Sequence, residues 1–524
     1  MGRLLGKLES RQYFLFRFCV PPLSILMLLV VSPACRADWK ITPTAGVSET
    51  YTDNVNLTPD ATAKTEFITE LIPGIAIEDN GPNLKMNAVY QLQYFDYSDK
   101  DVVGTNQFES FLQANAKATL VLELLYVNGN ASINQQSISA FGPQVNNNPY
   151  SSTNHTEVKT FSLSPYLTHN FDTTAIGEIM YSHQSLNSGD ALLGNSQGDS
   201  ILFDLASGPA FRLVHWDLQY NRDTIESTVS STITQDTASG NLAYTYSPDL
   251  SITATTGFDE FGYQGIGGTS TRDNFWLTGF TWTPTERTSV EASGGRRYGG
   301  SDYTFSAKLH SRHSVWMINY TDAVTTSLSQ FNAPSTISTA AMLTQLWSPV
   351  ISNPTLLAQA VANYIAGQGL PASLANSTNF LSNSFYLQKQ LQASAAFNTA
   401  KSTLIFSLFD SESTSLFNQQ ATSALLGNNS LFLNENAKQL GGSAMLNWQI
   451  TSRSNAYFNA TYNKIESLTT DLVNVNRSVV LGMSRQINPR LQGTLELRRA
   501  EGSLNELNGA YHENAVMASL SMKL

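Results

Sequence analysis

Cysteine is almost missing from this chain. Its 524 residues include two, Cys19 and Cys35, both close to the N-terminus. Charge is also thin, with Asp, Glu, Lys and Arg making up 14% of the residues. Beyond Val31 no apolar run approaches the ~20 residues that a membrane helix requires, so the rest of the chain is not a helical membrane protein. No H-E-x-x-H, G-x-S-x-G or P-loop pattern occurs, and no cofactor-binding motif, so no enzyme chemistry is indicated.

The N-terminus reads as a secretory signal peptide over residues 1–37. Arg3, Lys7, Arg11 and Arg17 give a positive start, and Leu23–Val31 a short apolar core. A cut after Ala37 fits the small-residue cleavage pattern loosely, with Cys35 at the −3 position. A lipid anchor on Cys35 is the competing reading, but Ser32-Pro33-Ala34 before it lacks the usual Leu. Cleavage after Ala37 leaves no cysteine, which excludes disulfides, thiolate metal sites and a cysteine nucleophile. It also removes five basic residues (Arg3, Lys7, Arg11, Arg17, Arg36) and one acid (Glu9), moving the formal charge from −11 to −15. A chain this acidic is a poor binder of nucleic acid.

What is abundant is Gly, Ser, Thr, Asn, Gln and aromatics, a mixture that suits strands and turns. The clearest strand follows Asp79-Asn80-Gly81-Pro82. Leu84, Met86, Ala88, Tyr90, Leu92 and Tyr94 share one face, and Lys85, Asn87, Gln91, Gln93 and the exception Val89 share the other. Such alternation over ten or so residues is the mark of a lipid-facing and lumen-facing membrane strand. Leu112–Leu120 and Leu491–Arg498 repeat it, while Phe275–Trp282 is apolar on both faces. Short polar links recur at Ser247–Leu250, Thr283–Arg287, Asn488–Arg490, Phe171–Thr174 and Thr451–Ser454. Longer links fall at 140–156, 187–199 and 226–236. Short turns on one side and long loops on the other describe an outer-membrane barrel, with the short turns facing the periplasm.

The expected fold is therefore all-β: a transmembrane antiparallel up-and-down β-barrel over residues 38–524, of roughly 16–22 strands. Residues 328–382 break the pattern. Pro354 followed by Leu356–Ile365 predicts a short helix inside one long loop, ended by Gly367 and Gly369. Two readings are open: a lumen plug or gating loop, and a folded external loop. Long loops are usually surface features, which favours the external one. A second link, roughly 414–436, is rich in Ser, Leu and Asn. The last strand, Val516–Leu524, resembles the C-terminal signal read by the barrel-insertion machinery, although it ends in Leu.

Segment 208–323 carries a family resemblance. It holds Gly208-Pro-Ala-Phe-Arg212, Trp216-Asp-Leu-Gln-Tyr220, Tyr246-Ser-Pro-Asp-Leu250 and Gly257-Phe-Asp-Glu-Phe261. Gly279-Phe-Thr-Trp-Thr-Pro-Thr-Glu-Arg-Thr288 and Gly294-Gly-Arg-Arg-Tyr-Gly299 follow, and Ser48–Val55 opens the barrel in the same manner. The set resembles outer-membrane barrels of the PEP-CTERM and exosortase system of Gram-negative bacteria. That resemblance implies association with exopolysaccharide export or periplasmic export components, and supplies no catalytic motif. A pore or secretion component is expected, with a non-conducting structural or docking barrel as the alternative. Either would lie in outer-membrane lipid.

The candidate site residues are few. Of seven histidines only His310 and His313 are close, and on one strand that spacing puts them on opposite faces. A turn at Ser311-Arg312 would change this. His183 with Ser182 or Ser185 is the only imaginable hydrolase pair, and Asp259/Glu260 reads as a solvated acidic pair. No catalytic, cofactor or metal residue is assigned, and the substrate-binding residues are unknown. A lumen rich in Gln, Asn, Thr and Tyr suits hydroxyl-rich solutes, although every water-filled barrel needs a polar interior. Intact-mass measurement of protein extracted from membranes is expected to show an N-terminus at Asp38. A chain that retains Met1 would refute the signal-peptide reading.

Overall fold

The computed structural model describes residues 39–99, 107–142, 144, 154–189, 194–228, 232–264, 270–332, 339–347, 357, 361, 385–416, 436–504 and 509–524. Twenty-two strands form one sheet. In chain order they begin with β1 (Lys40–Thr52), β2 (Glu66–Asn80), β3 (Leu84–Tyr97), β4 (Phe108–Val121), β5 (Leu125–Ser137) and β6 (His155–Phe171). Next come β7 (Ala175–Ser188), β8 (Ser196–Ser207), β9 (Val214–Ser227), β10 (Thr232–Ser247), β11 (Leu250–Gln264) and β12 (Ser270–Thr285). Then follow β13 (Thr288–Arg297), β14 (Gly300–His310), β15 (Ser314–Thr325), β16 (Tyr386–Asn398) and β17 (Ser402–Ser415). The ring finishes with β18 (Ala437–Thr451), β19 (Ser454–Ser467), β20 (Val473–Asn488), β21 (Leu491–Leu504) and β22 (Gly509–Lys523).

Each strand pairs antiparallel with the next. The ring closes where β22 pairs with β1 from Ala515↔Thr52 to Lys523↔Thr44. Strand lengths of 10 to 17 residues suffice to cross a bilayer at a tilt. The strand count lies at the upper end of the expected range.

The alternation read from the sequence is the alternation of the wall. Tyr90 lies opposite Leu112 and Ala88 opposite Ala114, so the apolar faces of β3 and β4 fall on the same side. That side is outward: Phe203, Leu218, Leu242, Ile252, Phe280, Leu408, Leu481 and Leu497 are all exposed there. Large apolar side chains open to the surroundings on every quarter of the ring make a lipid-contacting belt. Trp216, Trp282, Trp316 and Trp448 share that face, each within a few residues of a short turn, and form one interfacial girdle. No helix among the described residues is long and apolar enough to cross a membrane. The chain is thus a membrane-spanning β-barrel of the outer-membrane type.

At one end of the barrel all ten links are short, of two to six residues. The five turns expected from sequence are among them. At the other end the links range from two residues to the sixty of 326–385. Between β13 and β14 the chain reverses through Tyr298 and Gly299, at φ +53° and +71°. Two successive left-handed residues make the tight hairpin turn that follows strand twist, and Gly299 takes its conformation without strain.

Among the described residues two α-helices interrupt the strands, Ser327–Asn332 and Thr339–Trp347, both between β15 and β16. The helix expected after Pro354 lies outside the described residues, apart from Leu357 and Val361, which are helical. The signal segment 1–37 and most of 414–436 also lie outside them.

Ring closure is directly testable in a chain with cysteine only at 19 and 35. Ala45 and Met522 are register partners across the seam. The double variant Ala45→Cys/Met522→Cys is expected to crosslink on mild oxidation, as is the control Ala88→Cys/Ala114→Cys within β3–β4. A crosslink in the control but none at the seam, read by non-reducing gel mobility, would refute closure.

Candidate functional site

The candidate site is the lumen, and its wall is built by the inward half of the strand alternation. Hydroxyls and amides dominate it. Gln388, Gln390, Gln392 and Ser394 line β16, and Ser407 and Ser411 line β17. They satisfy one another across strands: Ser407 and Ser443 hydroxyls are 2.7 Å apart, Thr461 and Ser478 2.6 Å, and Gln388 Nε2 donates to Ser411 Oγ at 3.2 Å. Such ladders fix polar side chains against a wall that would otherwise hold mobile water.

Two ion pairs are built into the wall. The Arg297 guanidinium donates through Nε and Nη2 to both oxygens of Asp259, at 2.8 and 2.9 Å, and lies 4.2 Å above the Phe275 ring. Thr237 Oγ1 donates to the same carboxylate. Arg498 likewise reaches both oxygens of Glu513, which also accepts from Thr52 Oγ1 across the seam. These forks are directional, and removing one partner would leave a buried charge unmatched. Lower on the wall, Tyr126 and Tyr166 stack at 5.1 Å, with Lys117 Nζ above both rings. Glu178 and Asp204 face each other in register beside them.

A polar wall should carry no large apolar patch, yet one exists. Val315, Ala396, Ile405 and Met445 are register neighbours on β15 to β18, all facing inward near the short-turn end. Met342, Leu343 and Leu346 of the helix Thr339–Trp347 cover that row, together with Leu357 and Val361. The β15–β16 insert starts at the long-loop rim, so it descends inside the barrel to reach this row. At its start, Leu328 and Phe331 pack with Val158, Leu186, Ile225, Ile233 and Phe261 on the far wall, and Phe385 joins them from its end. Gly198 makes room there: a Cβ on it would stand 2.8 Å from Leu328 Cδ2. Tyr298 of the tight turn also packs on Phe261, and its burial raises the phenol above its ordinary range.

Two other links fold inward at the same rim. Ala140 and Phe141, between β5 and β6, pack on Ala437 and Ile465 well round the ring. Asn474 Nδ2 holds that loop by donating to the carbonyls of Ala140 and Gly142, at 2.9 and 3.0 Å. Between β1 and β2, Val55 packs on Ile68 and Phe95, and Leu57 on Tyr511. The long-loop mouth is therefore crossed by two segments of the chain itself, and a third folds inward beside its own root.

This differs from the external loop favoured by length alone. The signal that would have located the insert is electrostatic: residues 323–388 contain no Asp, Glu, Lys, Arg or His. A water-exposed loop of that length would carry charge, whereas one packed in a closed interior avoids it.

The other candidates disperse. His183 Nδ1 is 2.9 Å from Asp199 and faces outward; Ser182 faces inward to Ser164, and Ser185 shares the outward face but the imidazole pairs with Asp199 instead, so neither imagined Ser–His pair forms. His310 ends β14 and His313 sits in the following turn. Among the described residues no group of three or more His, Cys, Asp or Glu could hold a metal ion. Asp259 and Glu260 part company: Asp259 pairs with Arg297 inside, and Glu260 lies outside, 3.9 Å from Arg272.

No family model matches the chain. No curated protein matches it either. Solved structures of related shape include the FrpB iron transporter from Neisseria meningitidis (F5-1 variant), at 9% identity and a TM-score of 0.48, covering 92% of this chain and 82% of that one. The siderophore receptor PiuA from Acinetobacter baumannii aligns at 8% identity and a TM-score of 0.45, over 92% and 82% of the two chains. The ferric-catecholate import receptor Fiu from E. coli K12 aligns at 9% and 0.46, over 92% and 81%. Likeness at this level says nothing about cargo.

The resemblance to the PEP-CTERM and exosortase barrels is corrected by these findings: no family model supports it, and the similar solved structures are iron and siderophore receptors. Its motifs have a local explanation. Thr283–Thr288 is the β12–β13 turn, where the Thr285 hydroxyl accepts from the Arg287 amide. Gly294–Gly299 is the run into the tight Tyr298–Gly299 reversal. Both are turn chemistry that any barrel hairpin can use.

Leu343→Ala is expected to weaken the insert's seat by about 2–5 kcal/mol, as for other buried leucines. Chymotrypsin should then cut within 333–384 faster than in the parent protein, with the heat-resistant barrel band on a gel unchanged. Equal cutting rates would show that the insert is not held by this contact.

Proposed function

We propose that the chain is an outer-membrane passage for polar solutes, held shut by its own loops. The observation that carries this reading is the inward apolar row Val315–Ala396–Ile405–Met445 under an uncharged insert. A scaffold that never opened would have no use for a separable cover over a polar, hydroxyl-lined wall. The Gln, Ser and Asn lining favours neutral, hydroxyl-rich cargo, saccharides included, because amides and hydroxyls exchange hydrogen bonds with such solutes at little net change. Export on the 1–37 segment and assembly by the barrel-insertion machinery belong to the same proposal. A role in exopolysaccharide export rested on the corrected resemblance and forms no part of it.

Planar-bilayer recording tests the reading. The parent protein is expected to be silent or to flicker at low conductance. A variant lacking 334–380 is expected to show steady steps at least several-fold larger, with faster swelling of liposomes in sugar solution. If the deleted variant inserts and stays silent, the barrel is a non-conducting docking scaffold and the passage reading fails.

A further inference from the structure

The outer face of the closing seam holds a groove that the passage reading leaves unused. It has a volume of about 540 Å³ and runs across β1, β20, β21 and β22. Val47, Met483, Leu495 and Leu520 form its sides, and Gly493 and Ala518 keep its floor low. Neighbouring outward positions carry large side chains, so these two small residues open a furrow in the lipid belt. Arg485 lies at the short-turn end of the furrow, facing outward and exposed, and no carboxylate pairs with it among the described residues. One register step above it, the row Trp448–Ala456–Met483 places it just on the headgroup side of the tryptophan girdle. Glu49 lies at the far end, with its carboxylate accepting from Thr69 Oγ1.

We propose that this groove is a specific site for a glycerophospholipid with an anionic headgroup, taken from the leaflet on the short-turn side. An acyl chain fills the furrow over Gly493 and Ala518, and the phosphate takes the Arg485 guanidinium. The chemistry is complementary at both ends. A chain lying over small residues recovers packing that a smooth wall would forgo. An arginine at the bilayer edge without a protein partner finds its acceptor in a lipid phosphate, which matches its planar fork. The site is at the seam, so its occupant would touch the first and last strands at once.

Native mass spectrometry of the full chain in neutral detergent tests this, with phosphatidylglycerol and phosphatidylcholine of identical acyl chains as probes. Phosphatidylglycerol is expected to be retained about tenfold better, the order of one charge-assisted contact. Arg485→Gln should abolish that preference while leaving the barrel folded. Gly493→Leu should reduce retention of both lipids by filling the furrow. A Cβ at 493 meets Ile487 and Leu520 at 3.4 Å, so the barrel itself accommodates the change. Equal retention of both lipids by the parent protein overturns the proposal. So does phosphatidylglycerol binding that survives both variants, or a dimer that covers the seam in place of lipid.

Discussion

Everything in this molecule depends on the pairing of β22 with β1. In hydrocarbon no water is present to take up a free amide or carbonyl, and each unsatisfied group costs several kcal/mol. A sheet of 22 strands left open would present two such edges along their whole length. The nine register pairs from Thr44↔Lys523 to Thr52↔Ala515 remove both. The buried Glu513 carboxylate ties the same seam from inside, taking hydrogen bonds from Thr52 on β1 and from Arg498 on β21. Closure then dictates the rest: outward side chains meet lipid, inward ones meet water or protein, and the period of two follows along every strand.

A ring this large encloses more space than its own wall side chains can fill. The chain meets that geometry by folding three links back inside. The β5–β6 and β15–β16 links contact walls well round the circumference, so they brace the ring as well as cross it, while the β1–β2 link packs beside its own root on β2, β3 and β22. Phe141 on Ile465 and Leu328 on Ile225 are the two clearest braces. These two braces are apolar and lie at the rim, and below them the wall is polar except for the row Val315–Ala396–Ile405–Met445 that seats the insert.

The strand architecture was legible because the two solvents of a barrel write themselves directly into alternate residues. Leu84–Tyr94 and Leu491–Arg498 needed no knowledge of their partners to be placed. Phe275 in β12 looked like an exception for a reason no local pattern holds: its inward ring is capped by Arg297, which is 22 residues further along and held by Asp259. Asp259 looked like a solvating acid for the same reason. The insert was misplaced because length and helix propensity were weighed and its lack of charge was not. The motif resemblance misled because tight turns reuse the same few residues whatever the protein. Pore state and lipid contacts depend on pairs of distant strands, and a single pass along the chain does not bring those together.

The reversal at Tyr298–Gly299 also works as a fastening. The chain turns back there after two residues, one hairpin before the insert departs. Tyr298 packs on Phe261, and Phe261 on Phe385 at the insert's return, with ring centroids 6.2 and 5.6 Å apart. A tight turn of the wall is thereby stapled, ring to ring, to the end of the segment that covers it.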